Sequence, residues 1–213
     1  METICRICIS VRNKTNNGIS FHKLISIIRK EFRIHNIDID IRTNRIKTLV
    51  PEEFYVNAYY DPEHDLNKDT AIEVIIYHNF DTLTNWDCSH VTDLLIQIFD
   101  AVVHEYKHRQ QSSKRRHKTY WTHSEYLSDP DEIDAYALSI AIELCRTVGK
   151  YRALNYMSKL SKLSRLKIRD RLVSPNLYAY FKVYKTVTHP CLNRLAKKIY
   201  KRLLKIDTDG IFV

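Results

Sequence analysis

The sequence predicts an α+β fold, with a small N-terminal β-sheet and helix followed by helices to the end of the chain. Three observations carry this. Short β-branched and aromatic runs cluster in the first 80 residues, helical apolar spacing takes over from Asp93, and the 213 residues include only 3 Gly and 5 Pro. Strands first and helices second is the α+β order, and scarce Gly and Pro favour long regular elements over linkers. We expect one domain over 1–213, with a core at about 55–148 and a basic helical subdomain at about 150–213.

Residues 4–11 (ICRICISV) are apolar and β-branched, which predicts a strand, followed by a turn over Asn13 to Gly18. Cys5-x-x-Cys8 has metal-ligand spacing, but no second pair accompanies it, and on a strand the two side chains would face opposite ways. Ser20 is placed to cap a helix over 21–35, where Phe21, Leu24, Ile25, Ile28 and Phe32 form one apolar stripe. Strict alternation over 37–43 (IDIDIRT) predicts a half-buried strand. Pro51 interrupts the chain; Phe54 to Tyr60 and Ile72 to His78 then read as two neighbouring strands.

From Asp93 the apolar residues Leu94, Leu95, Ile96, Ile98, Phe99, Val102 and Val103 surround a helix almost completely, as in a helix buried mid-domain. That helix ends in His104-Glu105-Tyr106-Lys107-His108. The i, i+4 spacing puts both imidazoles on one face, where they can grip one metal ion, and Glu105 is placed to accept a proton from a water beside it. Buried polar groups need partners, and a metal is one. A catalytic zinc takes three protein ligands and keeps one open position, so a third ligand is required. Gln110 to Lys118 reads as an exposed basic connection. Asp129 and Pro130 then start a second long helix, with Asp131 and Glu132 in its first turn and Gly149 as its stop.

The H-E-x-x-H followed by Glu132-Ile133-Asp134-Ala135-Tyr136-Ala137 resembles the compact zincin metallopeptidases. The Glu-x-x-Ala segment is similar to that of gluzincin-like families, and small proteins of this look occur among predicted phage-encoded peptidases. The resemblance covers about residues 55–148. It implies Zn²⁺ held by His104, His108 and Glu132, peptide hydrolysis by a metal-bound water that Glu105 activates, and Ile72–His78 as an edge strand that pairs with an extended substrate. Position 136 is Tyr where that pattern has Asp. Gln111 and Lys114 stand where a metzincin has Gly and His. His123 is the rival third ligand, at a separation from His108 similar to that in SprT-like proteases, which act on DNA-crosslinked protein. Asp131 and Asp134 are lesser candidates. Tyr136, Tyr178, Tyr180 and His189 are the candidates for stabilising an oxyanion, and the sequence does not choose among them.

The remaining helices, near 150–163, 175–186 and 190–206, interleave Lys and Arg with Leu, Ile and Tyr. With 34 Lys plus Arg against 25 Asp plus Glu, the net charge of +9 favours an acidic partner or nucleic acid. A basic nucleic-acid-associated protein, or a zincin that binds metal without turnover, is therefore the competing expectation. Three scattered Gly exclude a phosphate-cradling loop, and no Ser or Cys has the flanks of a nucleophile elbow. Five scattered Cys, no signal peptide and no membrane-length apolar run predict a reducing, cytoplasmic setting, of host or virus, with no membrane partner.

Overall fold

The computed structural model describes residues 1–15, 18–62, 71–80, 85–112, 122–160, 173–186 and 188–212. They form an α+β fold, with small sheets in the N-terminal part and helices in the remainder. No helix among them is long and apolar enough to cross a membrane. The chain divides into two compact units, Met1–Ser113 with Phe212–Val213, and Lys114–Ile211.

The first unit opens with a helix, α1 (Glu2–Lys14), where the β-branched content predicted a strand. The buried residues Ile4, Cys5, Ile7, Cys8 and Val11 fall at i, i+1, i+3, i+4 and i+7, and this helical spacing overrides the modest penalty on β-branched residues. Glu31 of α2 (Phe21–Ile34) fixes α1 from the side, accepting hydrogen bonds from Ser10 and Lys14. Cys5 and Cys8 consequently share a face and are both buried, the Cys8 thiol donating to the Leu95 carbonyl. Burial pushes the Cys5 thiol pKa up, away from the thiolate a metal requires. In α2 the five stripe residues are all buried as expected.

The expected strand at 37–43 lies further on, as β2 (Asp40–Arg45), and β3 (Phe54–Tyr60) and β4 (Ile72–His78) match their expected spans. The three-stranded sheet has the order β2-β4-β3. β4 runs parallel to β2, with Ile41 opposite Val74, and antiparallel to β3, with Val56 opposite Ile76. This corrects one expectation: β4 is the central strand, with both ladders used, and cannot pair with a substrate as an edge. Burial alternates strictly along it, from Ile72 to His78, as on a strand with one covered face. β3 is the antiparallel edge, and the backbone N–H of Val56 donates to the side chain of Gln97 at 3.0 Å, which blunts that edge. Two short strands, β1 (Ile19–Ser20) and β5 (Asn85–Trp86), pair antiparallel. Phe21, Phe80 and Trp86 cluster with His78, Trp86 lying 5.2 Å from Phe21 and 4.5 Å from Phe80 between ring centroids.

α3 (Cys88–Ser112) starts five residues before Asp93 and extends past His108. It packs on β3 and β4. Val91, Leu94, Leu95, Ile98, Phe99 and Val102 are fully enclosed. At roughly 1.5–3 kcal/mol for each such side chain, turning this helix about its axis would cost several kcal/mol. Its last turns are thereby fixed in direction, which places His104, Glu105 and His108.

In the second unit, α4 (His123–Ser128) is started by a capping box. Thr122 Oγ1 accepts from Glu125 N–H at 3.1 Å, and the Glu125 carboxylate accepts from Thr122 N–H at 3.0 Å. α5 (Pro130–Val148) begins as expected, with Asp129 Oδ1 accepting from Asp131 N–H at 2.8 Å and Pro130 in the first turn. It stops at Gly149, whose φ of 80° suits glycine. Among the described residues, three more helices follow: α6 (Lys150–Lys159), α7 (Pro175–Tyr184) and α8 (Pro190–Lys205). α8 packs along α5. Arg202 is paired with Asp134 there at 2.9 Å. Buried Glu143 of α5 accepts from Ser174 and Asn176 and so holds the start of α7. The basic connection expected at Gln110 to Lys118 begins in helix, Gln110–Ser112 continuing α3, and 113–121 lie outside the described residues.

Candidate metal centre

His104 and His108, one turn apart near the end of α3, are half-buried. Their Nε2 atoms are 3.1 Å apart, and the ring centroids 4.8 Å. The Nδ1 of His108 lies 3.1 Å from Gln111 Oε1, an acceptor, so Nδ1 carries the proton and the His108 Nε2 lone pair faces His104. Gln111, met in the sequence only as the residue that excludes a metzincin, thus orients one candidate ligand. The only signal it offered was its position three residues after His108, on the same helix face. Glu105, half-buried, follows His104 on the adjoining side of the helix.

Glu132 sits in the first turn of α5 with 7% of its surface exposed. Of the residues that could hold a metal ion, His104 and His108 belong to the first unit and Glu132 to the second. The donor set suits a divalent ion of the zinc type, two imidazole nitrogens and a carboxylate. A tetrahedral ion with bonds of about 2.0–2.1 Å holds its ligands about 3.3 Å apart, and the imidazole pair already has nearly that spacing. His123 is not in the group; it is exposed at the start of α4, its ring stacked 6.1 Å from Tyr126. Of the two lesser candidates, Asp131 is half-buried in the first turn of α5, and Asp134 is taken up by Arg202 and by Lys198 at 3.4 Å.

Within its own unit, Glu132 has tyrosines about it. Tyr126, which sequence reasoning passed over, hydrogen-bonds with its hydroxyl to both Glu132 and Tyr136. Burial, then Tyr136 and Glu132, push the Tyr126 pKa far up, so that it stays a proton donor. Tyr136 sits edge-on to Tyr126 and to Tyr180, at 6.4 and 5.2 Å between centroids. Tyr180 is 1% exposed and its hydroxyl has no hydrogen-bond partner among the described residues. Burial, then Tyr136, raise its pKa as well. Tyr178 is half-buried on α7. His189 is occupied as the cap of α8, its Nδ1 accepting from Cys191 N–H at 3.2 Å.

No family model, no curated protein and no solved structure matches this chain.

Proposed function

We propose that the chain is a zinc-dependent metallopeptidase whose metal is held by His104, His108 and Glu132. The observation that carries this reading is the H-E-x-x-H of α3, whose two imidazole Nε2 atoms stand 3.1 Å apart with the Glu105 carboxylate next to His104 in sequence; the second unit offers the buried carboxylate of Glu132 in the first turn of α5. A bound divalent ion supplies Lewis acidity toward water and toward the scissile carbonyl. The protein does the proton work. Glu105 takes a proton from the attacking water and delivers it to the departing amine nitrogen as the C–N bond breaks. Tyr180 is the oxyanion candidate best fitted to donate, since its buried hydroxyl has no acceptor among the described residues.

The test is metal content by elemental mass spectrometry of the untagged protein, with His108→Ala and Glu132→Ala beside it. About one zinc per chain, lost from both variants, is the expected result. Zinc retained by Glu132→Ala would move the third ligand to His123, and a folded protein without zinc would refute the metal centre. Glu105→Gln should then keep zinc but lower peptide hydrolysis by roughly 10²–10⁴-fold.

A second reading rests on α8, where Arg194, Lys197, Lys201 and Lys205 form an exposed basic stripe. It favours an anionic partner, nucleic acid included. Such binding would weaken steeply with salt and ignore chelators.

A further inference from the structure

α4 is only six residues long, yet it is tied down at several points. The capping box fixes its start. Tyr184 of α7 donates its hydroxyl to the Ser124 carbonyl at 2.8 Å, and the Cys191 thiol of α8 donates to the Leu127 carbonyl at 3.6 Å. Leu127 is buried beneath it. A short helix held this firmly can aim a side chain, and the one it turns inward with a polar end is Tyr126.

We infer that Tyr126 is a positioning residue: its hydroxyl holds one oxygen of the Glu132 carboxylate and thereby presents the other as a ligand. The inference rests on the metal centre proposed above. A carboxylate in the first turn of a helix has several rotamers, and 7% exposure leaves little water to choose among them. A donor from a separate, anchored helix selects one. Tyr136, one turn beyond Glu132 on the same face, hydrogen-bonds with the same hydroxyl and packs edge-on to the Tyr126 ring at 6.4 Å between centroids. The zincin pattern has an acid at position 136 as support; this chain has Tyr there, and the support for the ligand set comes instead from α4. Ligand-supporting groups of this sort commonly change metal affinity by about 10–100-fold.

Tyr126→Phe removes the oxygen and keeps the ring. Zinc affinity of the full chain is measured by competition with a chromophoric chelator for four proteins: wild type, Tyr126→Phe, Glu132→Ala and the double variant. We expect Tyr126→Phe to bind zinc about 10–100-fold more weakly, and the double variant to match Glu132→Ala, because the hydroxyl acts only through the carboxylate. Unchanged affinity in Tyr126→Phe overturns the inference while leaving the metal centre intact. Equal weakening in both backgrounds also overturns it, since the hydroxyl would then serve the fold generally. A wild type that binds no zinc overturns the centre and the inference together.

Discussion

Gln111→Leu tests whether the imidazole pair is a built metal site. The substitution keeps the length and bulk of the side chain and removes the Oε1 that accepts the His108 Nδ1 proton at 3.1 Å. Without that acceptor, His108 is free to move its proton to Nε2, the atom required for binding, and its ring is free to turn about χ2. One neutral hydrogen bond of this kind is worth about 0.5–1.5 kcal/mol net, and at about 1.4 kcal/mol per decade that is roughly a 2- to 12-fold loss in zinc affinity. Because the group is half-buried, the middle of that range is expected, near 5-fold. Gln111→Glu should act in the opposite direction, since a carboxylate raises the basicity of the imidazole it accepts from. The assay is zinc competition at pH 7, with the thermal midpoint of each apoprotein as a check on the fold. The reasoning would be refuted if Gln111→Leu and Gln111→Glu bound zinc as tightly as each other. It would fail equally if the loss in Gln111→Leu came with a matching fall in apoprotein stability.

Two further predictions concern the supports of the site. His78 is buried against Phe21, with Nδ1 accepting from the Phe80 N–H, and burial followed by the Arg45 charge lowers its pKa below 6.5. A lowered pKa means the unfolded chain takes the proton first, so stability is full above about pH 6.5 and falls as the pH drops below it. The slope from this one group is at most about 1.4 kcal/mol per pH unit. Denaturant midpoints at pH 7.5 and 5.5 should show that loss in the wild type and a smaller one in His78→Phe; equal losses would rule His78 out as its source. Glu143→Ala removes a buried acceptor from Ser174 and Asn176 at the start of α7. With about 1.5–3 kcal/mol for each hydrogen bond to a charged group, denaturation should show a loss of roughly 3 kcal/mol or more. A loss under about 0.5 kcal/mol, the size of an ordinary surface change, would mean that Glu143 does not hold α7.

Much of the fold was legible because its elements obey simple periods. β3 and β4 matched their expected spans, since apolar and β-branched runs between turn-forming residues admit few readings. α5 was legible at both ends from Asp129, Pro130 and Gly149, residues whose backbone chemistry starts and stops helices. α1 was misread because an eight-residue run with six apolar residues suits either element, and what decides is the partner surface: Glu31 and the Leu95 carbonyl, far along the chain. The place of β4 was misread for a similar reason. Nothing local to Ile72–His78 says that β2 will come to lie on its other side, since a parallel neighbour is brought in by a crossover.

The site divides the same way. His104, Glu105 and His108 were readable because their relation is fixed by one helix, and the 3.1 Å between the Nε2 atoms is what i, i+4 spacing allows. Glu132 was readable only through a resemblance, and the tyrosines around it not at all as a group. Tyr126, Tyr136 and Tyr180 come from three different helices, and 14 tyrosines in the chain offer no local mark to single these out. What distinguishes them is burial of a hydroxyl beside a carboxylate, a property of the packing. Deeply buried phenols are costly unless their oxygens have work or partners. Tyr126 has partners in Glu132 and Tyr136. Tyr180, enclosed and without an acceptor among the described residues, is therefore the side chain whose replacement by Phe should be tested for turnover once a substrate is found. If the hydroxyl is idle, Tyr180→Phe will stabilise the fold and spare catalysis. If it donates to the developing oxyanion, the same change will stabilise the fold while lowering kcat, and that opposition separates a working group from a packed one.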